Sequence, residues 1–170
     1  MSKNDPRSPV STTDVVAKEV ANKNLQAVTQ RSTDGFNRLK EAVKTIKLVD
    51  DALVNAPDSV KKEMSKLGNS LKDSILNMQK MFMSSPDLKG INRQPNVLME
   101  TLSKANGMIK DANGQPSSNA QAAIDAANIQ ANDILKKINV FFETDWLKYQ
   151  AKVEAIRTPL FKKYEPLKID

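Results

Sequence analysis

The sequence predicts an all-α fold: an elongated antiparallel four-helix bundle with long first and fourth helices and two shorter ones between them. Three observations predict it. Apolar residues recur at alternating three- and four-residue steps over four separate stretches, which is the period of a helix face. The stretches are separated by "NAPDSV", "SSPDLKGINRQP" and "DANGQPSSN", each a Pro- or Gly-marked break. The composition is rich in Ala, Lys, Asn, Leu and Asp, with aromatics at 5% and only 5 Gly, which favours helix over sheet.

Residues 1–12 hold two Pro with several Ser and Thr and read as an extended lead-in from an upstream domain. Thr12 or Thr13 is the expected N-cap, with Asp14 and Glu19 early in the helix, where its dipole favours acids. The first helix is expected to run to about Asn55. Phe36, Leu39, Val43, Ile46, Val49 and Leu53 form a heptad seam in its second half, and Val16, Val20, Leu25 and Val28 carry the face in the first. Gly35 lies between the halves as a candidate kink.

Pro57 disfavours helix at Ala56 and opens the second helix, expected over Asp58 to Met83. Its stripe is Val60, Met64, Leu67, Leu71, Ile75, Met78 and Phe82. In the long connection that follows, Leu88 and Ile91 are expected to fold back onto the bundle. The third helix is placed from Pro95 or Asn96, with Leu98, Leu102, Ala105, Ile109 and Ala112 on one face. The fourth is placed from Ser118 to about Arg157, and Pro159 ends it. Its seam is small at the start, with Ala120, Ile124, Ala127 and Ala131. It then becomes large, with Ile134, Ile138, Phe141, Trp146, Tyr149, Val153 and Ile156. The bundle is thus expected over 13–157, with 158–170 as a tail packed on it.

Helices of about 40 residues are about 60 Å long at 1.5 Å per residue. An up-down-up-down order would pair the start of the first helix with the end of the fourth, beyond the reach of the middle two. That order predicts a thin two-helix section closed by the aromatics of "NVFFETDWLKYQAKVEAI", residues 139–156. Phe141, Phe142, Trp146 and Tyr149, joined by Phe161 and Tyr164 from the tail, are therefore read as a structural aromatic seam that continues the three-four spacing.

The net charge of +6 is spread along the chain, with no basic run longer than Lys61-Lys62 or Lys162-Lys163. A nucleic-acid footprint would concentrate it on one face, so no nucleic-acid partner is expected. The absence of Cys excludes disulfides and thiolate metal sites, and the absence of His removes the commonest general base and metal ligand. No apolar run approaches the roughly 20 residues of a membrane span. The first residues lack the apolar core of a signal peptide.

Candidate chemistry is sparse. Glu143 and Asp145 are two apart and point in different directions on a helix. In "MQKMFM", Met78 and Phe82 belong to the seam, which leaves Met81 and Met83 as candidates for an adaptable surface. No Gly-rich phosphate loop with its Lys is present. No catalytic, cofactor-binding or metal site is assigned, and no enzyme activity is expected of this chain. A carboxylate-bridged metal site would need Glu-x-x-His pairs.

Three stretches carry a resemblance. They are "DPRSPVSTTDVVAKE" at 5–19, "MSSPDLKGINRQPNVLMETLSKANGMI" at 83–109, and "INVFFETDWLKYQAKVEA" with "LFKKYEPLKID" across 138–170. They resemble the closing segments of large secreted bacterial proteins with a sortilin-like β-propeller, often labelled BNR-repeat glycosyl hydrolases and common in Bacteroidetes. In those proteins a propeller is followed by a β-sandwich module and then a C-terminal helical region. The resemblance implies a non-catalytic C-terminal helical module, partnered by upstream β-domains and placed outside the cytoplasm. It transfers no catalytic residue, because the hydrolase label belongs to the propeller. The turn "KDANGQPSS" departs from the Trp-containing segment of similar chains. Met1 just before "DPR" is what a truncated frame or an excised domain would show. The alternative is a stand-alone helical binding protein, such as a phasin-like or lipid-surface coat. A homodimer through the thin end of the bundle is left open.

Overall fold

The computed structural model describes residues 11–83 and 97–156. Among them the chain is all-α, with two long helices, two shorter ones and no strand. Helix α1 spans Thr12–Ala52 and closes in a 3-10 turn at Leu53–Asn55; α2 spans Asp58–Phe82 and α3 Leu98–Lys110. Helix α4 covers Ser118–Phe141 and passes through a π-helical turn, Phe142–Trp146, into α5, Leu147–Glu154, forming one rod of 37 residues. The all-α bundle of two long and two shorter helices read from the sequence is thus the observed one.

Helix ends follow local chemistry. The cap of α1 is Ser11, just before the expected Thr12 or Thr13. Its hydroxyl accepts from the Asp14 amide at 3.1 Å, and the Asp14 carboxylate accepts from the Ser11 amide at 3.2 Å. That reciprocal pair is a capping box, which satisfies two otherwise orphaned donors. Ser117 caps α4 by accepting from the Ala120 amide at 3.2 Å. Helix α3 begins at Leu98 with the buried Val97 as its cap residue, slightly after the expected Pro95 or Asn96.

The order of helices within the bundle differs from the expected up-down-up-down. Arg31 donates to Asn128 Oδ1 at 2.7 Å and to Asn132 Oδ1 at 3.1 Å, and further along Val49 shares a groove with Val153. Rising numbers on α1 therefore meet rising numbers on the α4–α5 rod, so the two long helices run parallel. Lys72 pairs with Asp50 while Phe82 packs on Phe36, so α2 runs against α1 along its second half. Lys18 donates to the carbonyls of Lys110 and Ala112, while Leu98 joins the core that includes Val28, so α3 runs against the first half of α1. The path is up, down, down, up, with α2 and α3 following one another along the rod.

Coverage explains this order. The apolar stripe of α1 extends from Ala21 to Leu53, and neither short helix can cover it alone. With 25 and 13 residues, α2 and α3 placed in succession span about 57 Å, close to the roughly 60 Å of the long helices. Every level therefore holds three helices, and no two-helix thin section exists among the described residues. The expected pairing of the start of the first helix with the end of the fourth is corrected accordingly. One core level joins Ala21, Leu25, Ala105, Ile109 and Ile124; the other runs from Val28 to Tyr149, and Leu102 touches both.

The stripe of α1 is built partly of small residues, which a search for large apolar side chains misreads. Val16 and Val20 are half exposed, and the buried face is Ala21, Leu25, Val28, Ser32, Gly35 and Leu39. Steps of four and three still connect them, and the Ser32 hydroxyl is satisfied by the Val28 carbonyl at 2.7 Å. Gly35 produces no break, because α1 continues through it. A Cβ there would stand 2.5 Å from Leu135 Cδ2, so Gly35 lets the two long helices approach closely. The Ala-rich start of α4 is buried as expected, with Ala120, Ala127 and Ala131 at 0% exposure. The expectations for Leu88, Ile91 and the tail 158–170 lie outside the described residues.

Candidate functional site

The aromatic seam is the most distinctive locality of the described chain. Phe141 and Tyr149 are buried; Phe142 and Trp146 are half-buried against the same core. Their rings form a relay. Phe141 meets Phe142 edge-on at 5.2 Å, Phe142 meets Trp146 at 5.6 Å, and Trp146 meets Tyr149 at 5.9 Å. These separations lie within the favourable range for aromatic pairs. Across the bundle, Phe36 and Phe82 make a second edge-on pair at 5.4 Å. Phe161 and Tyr164 lie outside the described residues.

The seam does not continue the three-four spacing. Phe141 to Trp146 is a step of five, and Phe141 to Tyr149 is a step of eight. In an uninterrupted α-helix eight residues turn about 80° past two full revolutions, at about 100° per residue, which would carry Tyr149 off the face of Phe141. The π-helical turn at Phe142–Trp146 absorbs the extra residue. The wide turn loosens the carbonyl ladder, and Thr144 Oγ1 donates to the Val140 carbonyl at 2.7 Å. The step of five is a signal for this turn that the sequence already carries.

Tyr149 points its hydroxyl toward α1 and α2. Gly68 of α2 lies beside it: an added Cβ there would stand 3.8 Å from the Tyr149 hydroxyl, 3.9 Å from Asp50 Oδ1 and 2.9 Å from Ile46 Cγ2. Asp50 is held by Lys72 at 3.1 Å. The Tyr149 hydroxyl itself is buried and makes no hydrogen bond. Burial, and then the charge of Asp50, push its pKa up to about 12. Sequence reading missed Gly68, Asp50 and Lys72. The periodicity places Leu67 on the stripe, yet Leu67 is half-buried and Gly68 is buried. A Gly inside a helical pattern was the available signal.

Outside Tyr149, α2 and α5 border a groove whose lining includes Leu67, Leu71, Ser74, Asp145, Lys148 and Lys152. Lys152 donates to Glu63 at 2.6 Å, and that hydrogen bond and charge hold the Glu63 carboxyl below its ordinary range. The Ser74 hydroxyl is spent on the Ser70 carbonyl at 3.2 Å. Glu143 and Asp145 are exposed, consistent with a solvated face. Of the methionines singled out, Met81 packs partly on the core and Met83 is 36% exposed. The arrangement is a packing and hydrogen-bonding locality. Among the described residues no group of three or more acidic side chains is placed to hold a metal ion. No described helix is long and apolar enough to cross a membrane.

No family model, curated protein or solved structure matches this chain.

Proposed function

We propose that this chain is a non-catalytic helical module that acts as a rigid spacer or packing partner for upstream β-domains of a secreted, sortilin-like propeller protein. The observation that carries the reading is the placement of the two ends of the described chain. Ser11 stands at the start of α1, where Asp14 lies beside Gly114 in the turn before α4. Ile156 stands at the other end, beside Val49 and Leu53. A path that goes up, down, down and up comes in at one end of the rod and leaves at the other, about 60 Å away at 1.5 Å per residue. An up-down-up-down bundle would return both ends to one side. A module of this form holds apart whatever is joined to its ends.

The family context rests on the resemblance of residues 5–19, 83–109 and 138–170, and it supplies the upstream β-domains and the extracytoplasmic location. Two measurements test the reading separately. Reading the coding frame upstream of Met1 tests the family context: a frame that continues into β-rich repeats supports it, and an in-frame stop with no such repeats overturns it. Spin labels on Thr13→Cys and Ala155→Cys, both exposed, test the spacer, because the chain has no other Cys. A single narrow distance distribution near 60 Å is expected, and a short or broad one would refute it.

A further inference from the structure

The two most exposed large apolar side chains among the described residues are Leu48, at 67%, and Val54, at 65%. Leu48 lies on the last turns of α1 and Val54 in the 3-10 turn that closes it, at the end where the described chain leaves the bundle. Leu48, Val49, Ala52 and Leu53 of this end form a groove with Val153 and Ile156, and Thr45 is the single polar residue lining it. At about 210 Å³ the groove falls below the roughly 300–1,000 Å³ of small-molecule pockets. It is sized for one or two side chains.

We propose that this groove is the seat of the chain's own C-terminal segment, residues 157–170, with Leu160 and Phe161 as the side chains that fill it. The inference does not depend on the function proposed above. Ile156 is itself a wall of the groove, so the segment starts at the site it would cover. Phe161 lies five residues further on, a reach of up to about 17 Å at about 3.4 Å per residue. Pro159 disfavours helix at Thr158, which favours a change of chain direction just after the groove. Leu160 and Phe161 are the first large apolar residues after that proline, and Lys162-Lys163 follows them. Asp51, exposed one turn from Leu48, offers a counter-charge at the rim. A second copy of the chain would bring the same apolar residues but lacks this tethering, which raises the local concentration of the segment at its own groove.

The absence of Cys makes the test direct. The full chain carrying Lys44→Cys, exposed one turn before Leu48, and Lys162→Cys is treated with a short bismaleimide, so that the groove and both apolar side chains of the segment stay intact. It is compared with Val20→Cys and Lys162→Cys, in which the exposed Val20 lies at the opposite end of α1. Glu63→Cys with Lys152→Cys, a pair that touches in the structure, serves as the positive control. Efficient linkage of 44 to 162 within one monomer, with none from 20, is the expected result. Equal yields from 44 and 20, no yield from 44 while the control links, or linkage only between two chains would each overturn the proposal. Helical circular dichroism of each variant, equal to the parent's, verifies that the fold is intact.

Discussion

The Tyr149 hydroxyl lies buried beside Gly68, with a hypothetical Gly68 Cβ only 3.8 Å away, and donates to no acceptor. The same hypothetical Cβ would stand 2.9 Å from Cγ2 of Ile46, a fully buried and β-branched side chain with little freedom to move aside. Gly68 is therefore a spacing residue between α1, α2 and α5. Gly68→Ala is expected to destabilise by about 1–3 kcal/mol through overpacking, despite its gain in helix propensity. Gly107→Ala is the matched control: it lies inside α3, where a Cβ meets nothing within 4 Å, and should stabilise by about 0.5–1 kcal/mol. Urea unfolding of both variants gives the comparison, and opposite signs are the expected outcome.

Tyr149→Phe removes a buried donor that makes no hydrogen bond while keeping the ring that stacks on Trp146. An unpaired buried polar group costs about 1–3 kcal/mol. The substitution is thus expected to leave stability unchanged or raise it, whereas Tyr149→Ala should lower it by about 3–5 kcal/mol through cavity formation. A loss on Tyr149→Phe comparable to that on Tyr149→Ala would mean that the hydroxyl has a partner in solution.

The same tyrosine predicts a pH dependence. Its pKa in the folded chain is raised to about 12 from an ordinary 10.0, so the unfolded chain releases this proton first. The stability linked to Tyr149 is complete below about pH 10 and is lost as pH rises toward about 12. Phenolate absorbance measured on a Tyr164→Phe background isolates this group, since the chain has only 2 Tyr. Midpoint titration near the ordinary value in the folded state would contradict the buried placement.

The π-helical turn predicts tolerance to shortening at one place only. Deleting the exposed Thr144 brings Phe141 and Tyr149 to a separation of seven, a heptad step that keeps both on one face. A cooperative melt and retained near-ultraviolet signal from Trp146 are expected. Deleting the exposed Lys137 instead turns the segment from Ile138 onward by about 100° against its partners, and a markedly lower melting temperature is expected. Equal outcomes for the two deletions would show that the turn does not reset the register.

The capping box gives a local test. Ser11→Ala removes the acceptor of the Asp14 amide and should cost about 1 kcal/mol of local helix stability. Hydrogen exchange should accelerate at the first turn of α1 and stay unchanged at Ile46, which is fully buried in the other core level. Faster exchange at both sites would mean that the start of α1 is coupled to the whole bundle.

The sequence alone determined the number and length of the helices and the large apolar residues of most inner faces, because local chemistry controls them. Steps of three and four place Met64, Leu71, Ile75, Met78 and Phe82 on one face whatever lies opposite, and Pro57 and the "DANGQPSS" turn break the chain wherever it folds. The aromatic seam was legible as a packing feature for the same reason. Its wide turn was present in the step of five from Phe141 to Trp146, but only burial of both Phe141 and Tyr149 revealed that step as a change of register.

The tertiary structure alone decided how the helices are ordered. Periodicity states that a face will be buried and does not state against which partner. The parallel run of α1 beside α4 follows from the need to cover two long stripes with two short helices, a condition on the whole molecule. The close contacts at Gly35 and Gly68 belong to this second kind of information, as does the unpaired hydroxyl of Tyr149. A glycine in a helix reads as a weakness along the chain, and only the neighbour across the interface turns it into a point of close approach.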